Sequence, residues 1–515
     1  MKTVIVPLIG DPVENLYQLG MREKDSFLKI ESRVMKLLST NAILRTGQDI
    51  ISRARILMKK KEDSFFDKCV TAYAEGMGID PVRYFSFLSL FEVAAHYGQV
   101  YPELKSILPG CTSVFAKSKD GITHSRLLDF PLIGIFEESP RLYFWQQEGK
   151  LPLLNYSSEG LAPLFLQGLH GSGLSFALHH KPGKTYHRDG QSIFKITFET
   201  LFESQNLAEV KREMKKKVSM TKWSLLLLEK TGVVQAMDLD GPALNSESYN
   251  VNETSPLIFT NIPLQQDAGG FENFIKFSEA RQNWMKEKLL HAKNEHILDL
   301  MTDVEDQKAK KWLHPAATLS TVGAYHVNLT SGLLDLKEGS GAMVKSDEIV
   351  QFSLGDNGEG KVVKKAHALR PFEEAWKRAS YAQSAFDQGE YDIAYHELQM
   401  AHALMPNSMW KEIIRFYLYL WDFKFVSNSK EIALIYKKVK KMNLPESLKD
   451  QWILLIMRLE KRLELAPTVT SNDVQDSYRE LFQQEKLAPK PVFATWMKLL
   501  YPRLELLDVF SPHSK

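Results

Sequence analysis

Cys111 follows Gly110 and opens the run Cys111-Thr-Ser-Val-Phe-Ala-Lys-Ser-Lys-Asp-Gly-Ile-Thr-His-Ser-Arg126-Leu-Leu-Asp129. Cutting the peptide bond before Cys111 gives that residue a free α-amine beside its own thiol. One residue then carries both nucleophile and base. A thiol with a pKa of about 8.5 is only slightly ionised at neutral pH, and an α-amine near 7.7 to 8.0 is close enough to exchange its proton. In the uncut chain the same nitrogen is an amide and accepts nothing, so cleavage switches the base on.

The elements that must position these groups are short. Thr112 to Ala116 reads as a strand, Lys119-Asp120-Gly121 as a turn, and Ile122 to Phe130 as the returning strand. A three-residue loop with glycine in the left-handed position places Asp129 directly opposite Cys111, where its carboxylate can hold the α-amine. Arg126 would point to the other face of a regular strand, so bringing both groups to Cys111 predicts a bulge or a twist in this hairpin.

Further motifs run in order along the chain: Gly10-Asp-Pro-Val-Glu14-Asn-Leu-Tyr-Gln18-Leu-Gly20, Ala74-Glu-Gly-Met-Gly78, Gly110-Cys111-Thr-Ser, Arg126-Leu-Leu-Asp129, Gly173-Leu174 and Phe259-Thr-Asn261-Ile-Pro263. In their order and spacing they resemble the acyl-coenzyme A:6-aminopenicillanic acid acyltransferase family of N-terminal-nucleophile hydrolases. From the cysteine onward the pattern is also similar to conjugated bile salt hydrolases and acid-ceramidase-like amidases. The resemblance implies that Cys111 is the nucleophile, that Arg126 sits near its sulfur, and that Asp129 binds the α-amine. It further implies that Asn261 supplies an oxyanion-hole donor and that Arg281 is a second arginine of the site. Where bile-salt-hydrolase-like members carry Gly-x-Asn-x-x-Gly-Leu, this chain reads Gly168-Leu-His170-Gly-Ser-Gly173-Leu174. Two readings of His170 follow: it replaces the missing donor through a ring nitrogen, or the position is non-catalytic in this chain.

With 515 residues, the chain is too long for one ordinary core. Its 65 basic and 63 acidic residues leave a net charge of only +2, which gives no reason to expect a nucleic-acid partner. Cys69 and Cys111 are its two cysteines, which excludes a disulfide framework. No run of 18 apolar residues occurs, so no transmembrane segment is expected, and the start lacks a signal-peptide pattern. A cytoplasmic location is the expectation. The loop His179-His180-Lys-Pro-Gly-Lys-Thr-Tyr-His187-Arg188 matches no common zinc spacing and reads as the rim of a substrate pocket.

Periodicity gives an α+β chain: helices over 21 to 108, short strands from 111 to about 265 interrupted by a helix over Ile193 to Lys217, a helical stretch from Phe271 to Trp312, and strands from Thr318 to Leu354. The resemblance implies a four-layer αββα sandwich for this part. The expected divisions are a helical pro-segment over 1–110, a catalytic domain over 111–365, and a helical domain over 370–515. In the last, Ala382 to Pro406 looks like one tetratricopeptide repeat, and one repeat cannot stand as a solenoid alone.

The expected activity is that of a self-processing cysteine amidohydrolase or acyltransferase acting on a linear N-acyl amide, or taking an acyl donor, through a thioester and without a cofactor or metal. The competing reading is an interaction protein, in which a degenerate hydrolase domain supports a helical module that binds a protein partner.

Overall fold

A computed structural model of the chain describes residues 3–39, 64–100, 110–130, 134–183, 186–187, 189–252, 255–265, 272–291, 295–304, 316–353, 360–444, 448–474 and a few positions from 479 to 487. The parts of the helical readings that fall on 40–63, 101–109, 292–294 and 305–315 lie outside the described residues, as do Lys184, Thr185 and Arg188 of the histidine-rich loop.

Two sheets face one another. The first has eight strands in the order β1 (Val4–Ile9), β4 (Pro140–Gln146), β5 (Leu153–Ser158), β6 (Gln167–His170), β7 (Leu174–His180), β8 (Trp223–Glu229), β9 (Val233–Asp240), β10 (Ala243–Asn250). The second has seven, in the order β11 (Leu257–Phe259), β2 (Cys111–Ser118), β3 (Gly121–Asp129), β12 (Thr321–Asn328), β13 (Leu333–Glu338), β14 (Glu348–Ser353), β15 (Lys361–Lys364). All neighbours are antiparallel except β1 and β4, which run parallel. The central strands β7 and β8 are buried along both faces, which is why Leu-Ser-Phe-Ala-Leu and Ser-Leu-Leu-Leu-Leu carry apolar residues without strict alternation. The edge strand β10 is polar and largely exposed, as an edge must be to avoid pairing with another chain.

Helices cover the outer faces. On the first sheet lie α1 (Pro12–Ser39), α2 (Phe65–Gly76), α3 (Pro81–Val100), α4 (Ile193–Glu203) and α5 (Leu207–Met214). Trp145 of β4 meets Phe198 and Phe202 of α4 edge-on. The helix expected over Ile193 to Lys217 is two, because Asn206 takes an extended backbone and its side-chain oxygen caps α5 at the Glu209 N–H. Glu23 of α1 is buried and accepts hydrogen bonds from the Tyr73 and Tyr143 hydroxyls and the Gly160 N–H, joining α1, α2 and the first sheet. Burial raises its pKa.

On the second sheet lie α6 (Glu272–His291), α7 (Ile297–Met301) and the C-terminal helices α8 (Pro371–Asp387), α9 (Tyr391–Leu404), α10 (Met409–Phe425), α11 (Ser429–Val439) and α12 (Lys449–Arg462). Val114, Leu127, Ala324 and Ile349 from the sheet share one apolar core with Trp284 of α6 and with Phe372, Trp376 and Ala379 of α8. The Ser380 hydroxyl donates to the Leu319 carbonyl, and Ser346 to Glu373, so α8 is fastened to the sheet by polar contacts as well. α8 and α9 form a helical hairpin closed at Gly389, with Ala382, Ala385, Ala394 and Ala401 buried in this core.

Candidate active site

The hairpin that carries Cys111 differs from its expected register. Ser118 pairs with Gly121 across a two-residue turn of Lys119 and Asp120, so Cys111 lies opposite Leu128 and Ser113 opposite Arg126. The turn is one residue shorter than the sequence suggested, and a one-residue shift exchanges the faces of a strand. Arg126 and Cys111 therefore share the face toward the first sheet, while Asp129 and Thr112 look toward α6. No bulge separates β2 from β3. The irregularity lies in the next pairing, between Thr321 and Gly323 of β12, beside Asp129.

Cys111 is buried, and its Sγ receives the Arg126 guanidinium Nη2 at 3.0 Å. The same guanidinium donates to the carbonyls of Leu166 at 2.5 Å and Leu178 at 2.6 Å, so its plane is fixed by the first sheet.

On the other face Arg281 of α6 ties the site together. Its Nη1 donates to Asp129 Oδ2 at 3.1 Å, to Thr112 Oγ1 at 3.1 Å and to the Cys111 carbonyl at 3.3 Å, and its Nη2 donates to Asn261 Oδ1 at 2.7 Å. Burial lowers the Arg281 pKa against the pull of Asp129, and burial raises that of Asp129 against the pull of Arg281. Arginine stays charged in proteins, so the pair is best described as a buried ion pair. The Thr321 hydroxyl supplies Asp129 with a further donor.

Asn261 meets Cys111 as an acceptor. Its Oδ1 takes the Cys111 N–H at 2.9 Å, and its Nδ2 donates to the His180 carbonyl at 2.8 Å. The expected oxyanion donor thus positions the Cys111 nitrogen in the uncut chain. A donor that sequence reasoning missed is the backbone of Asp129: its N–H reaches the Gly110 carbonyl oxygen at 3.0 Å, the oxygen of the bond before Cys111. A Cβ added to Gly110 would stand 2.7 Å from Asp129 Oδ2, so a larger residue beside Cys111 requires this carboxylate to shift.

The structure does not bring His170 to this site. It lies at the end of β6, four residues beyond Leu166, which is about 13 Å at the rise of a strand. Its ring nitrogens bond the Ser172 hydroxyl at 2.6 Å and the Ser204 carbonyl at 3.0 Å, the latter just past α4 on the helical side of the first sheet. Burial lowers its pKa.

Other polar groups do gather near Cys111. Ser113 bonds His179 Nε2 at 2.8 Å and His124 Nε2 at 3.1 Å, and His124 Nδ1 bonds Ser175 at 2.7 Å and the Tyr325 hydroxyl at 2.9 Å. Burial, followed by the nearby Arg126, holds both histidines well below the ordinary range, so both rings are neutral. The Lys181 ammonium donates to the carbonyls of Thr260 and Ile262, each at 2.7 Å. Burial pushes its pKa down to about 8, while Asp238 and Cys111 pull upward. The signal for Ser113 and His124 was the two-residue period, which puts 111, 113, 124 and 126 on one face once the register is known.

No protein-family model matches the chain, and no curated protein matches it. Solved structures similar to part of it include a Caenorhabditis elegans N-acylethanolamine-hydrolyzing acid amidase ortholog, at 14% identity over 42% of this chain and 93% of that one, with a TM-score of 0.30. Penicillin V acylase from Agrobacterium tumefaciens is similar at 11% identity over 50% of this chain and 99% of its own, with a TM-score of 0.32. A variant of conjugated bile acid hydrolase from Clostridium perfringens is similar at 14% identity over 50% and 99%, with a TM-score of 0.31. The reading of the site rests on this chain's own geometry.

Proposed function

We propose that this protein is a cysteine amidohydrolase or acyltransferase that matures by cutting itself between Gly110 and Cys111. The observation that carries the reading is the pairing of Arg126 Nη2 with Cys111 Sγ at 3.0 Å, on a cysteine whose own nitrogen is held by Asn261. In maturation the sulfur attacks the Gly110 carbonyl carbon, and the developing oxyanion stays on the Asp129 N–H. The C–N bond breaks, its nitrogen takes up a proton to become the Cys111 amine, and water hydrolyses the thioester to free the Gly110 carboxyl group. The amine then gains Asp129 as a counter-charge.

In turnover the α-amine takes the thiol proton, and the thiolate attacks the carbonyl carbon of a linear N-acyl amide. The same proton passes to the leaving amine. Water resolves the acyl-enzyme in hydrolysis, and a second amine resolves it in transfer.

Intact mass of the purified protein tests this. Two fragments, 1–110 and 111–515, are expected from the wild type and one chain from Cys111→Ala. Cleavage of Cys111→Ala at the same bond would assign the cut to another protease.

A further inference from the structure

At the end of the sandwich opposite Cys111, the sheets part around a cavity of about 370 Å³. Leu142, Phe144, Leu154 and Leu169 line it from the first sheet, and Leu329 and Phe352 close it from the second. The volume falls in the range of small-molecule sites. Stacked sheets stand about 10 Å apart and fill that space with side chains from both faces, so a gap left between them is bounded above and below by the sheets, and we call it a slot.

The slot has two distinct ends. At its inner end Leu142, Leu154 and Leu169 also wall a second, much smaller space, bounded by Tyr325 and Gln167. Gln167 is 1% exposed, and neither polar atom of its amide has a hydrogen-bond partner among the described residues. Tyr325 pairs across the strands with Arg126, so the slot stops on the side of Arg126 away from Cys111. The outer end opens at the turn from His170 to Gly173. Both ring nitrogens of His170 are already bonded, to Ser172 and to the Ser204 carbonyl. Lys230 stands exposed at the same mouth with no ion pair or hydrogen bond recorded among the described residues. Its stem crosses Gly173 so closely that a Cβ there would meet Lys230 Cε at 2.6 Å.

We propose that this slot binds an unbranched aliphatic carboxylate, with its tail between the sheets and its carboxylate on Lys230. An apolar slot one side-chain layer thick suits an extended chain, and the unpaired ammonium at its mouth selects an anion. Gln167 sets the length, because a methyl group that reaches the unpartnered amide blocks both of its polar atoms without replacing a hydrogen bond. The assignment stands independently of whether Cys111 reacts.

The test is a series of straight-chain carboxylates from hexanoate to hexadecanoate, below their micelle concentrations, titrated calorimetrically into the full chain. One molecule is expected to bind per chain, with affinity rising about fourfold per methylene and then falling at the length that meets Gln167. Lys230→Glu should weaken the best carboxylate at least tenfold while leaving the cut before Cys111 unchanged. Leu169→Trp, which fills the slot, should abolish binding in a protein of wild-type circular dichroism. Absence of saturable binding, an affinity that rises with length without a break, or indifference to Lys230→Glu would overturn the proposal, even if Leu169→Trp does not fold. Equal affinity for the matching alkanol would overturn the assignment of the head group.

Discussion

Arg281 holds together groups that lie 20, 152, 169 and 170 residues away along the chain. Removing one partner of a buried ion pair strands the other, at a cost of roughly 3–5 kcal/mol. Arg281→Met should therefore lose about that much stability in urea titrations, and the double variant with Asp129→Asn should lose less than the two single changes together. Lys181 gives a pH signature. Its folded pKa, about 8, lies below the ordinary lysine value of 10.5, so between those limits the unfolded chain binds more protons. Stability contributed through Lys181 accordingly rises with pH across that window, by about 3 kcal/mol at most. Urea midpoints of the wild type minus those of Lys181→Met should show that rise; a flat difference would mean that the buried amine does not titrate there. Cys111, Arg126 and Asp129 were legible in the sequence because one hairpin carries all three. Asn261 and Arg281 were legible only through the family resemblance, since each sits in a local pattern that a turn or a solvated helix face would equally produce. His170 was misplaced for a physical reason: a motif gives spacing along the chain, and only the sheet shows which side of β6 the ring faces.

The hairpin β2–β3 shows how one residue in a turn redistributes function. The two-residue turn puts Arg126 on the sulfur side and leaves the Asp129 carboxylate against Gly110, where a side chain would collide. Gly110→Ala should slow the cut before Cys111 by at least tenfold, while the folded precursor keeps its Arg126 contact; time courses of the two fragments on denaturing gels measure it. Unchanged kinetics would show that Asp129 can move aside without loss of the Gly110 carbonyl contact. The strand regions from 111 to about 265 and from Thr318 to Leu354 were readable from their turn residues, and α10 to α12 from amphipathic spacing; β1 and β15 fell outside those regions. The turn length was not, because Lys119-Asp120-Gly121 supports a two-residue and a three-residue loop alike.

Across the whole molecule two apolar cores meet at the second sheet, one between the sheets and one beneath the C-terminal helices. Phe372, Trp376 and Ala379 share the latter with Leu127, a neighbour of Arg126, so the helices after residue 370 help to bury the hairpin. A chain ending at residue 369 should unfold at lower urea than the full chain and cut itself more slowly, whereas a purely appended module would change neither. The composition shift near Arg370 was visible in the sequence, but the shared core was not, since helical periodicity does not name the surface a helix covers. A last consequence follows from β1, which lies before Cys111 in the chain and pairs with β4 beyond it. If the chain cuts itself before Cys111 as proposed, one sheet belongs to two polypeptides, while the second cysteine, Cys69, stays a free thiol in the buried core. Denaturation then becomes a dissociation, so the melting point of the cut protein should climb with its concentration while that of Cys111→Ala stays fixed. On that reading the uncut chain refolds equally well at any dilution, whereas the cut protein must find its missing strand again, so dilution alone disfavours its folded state.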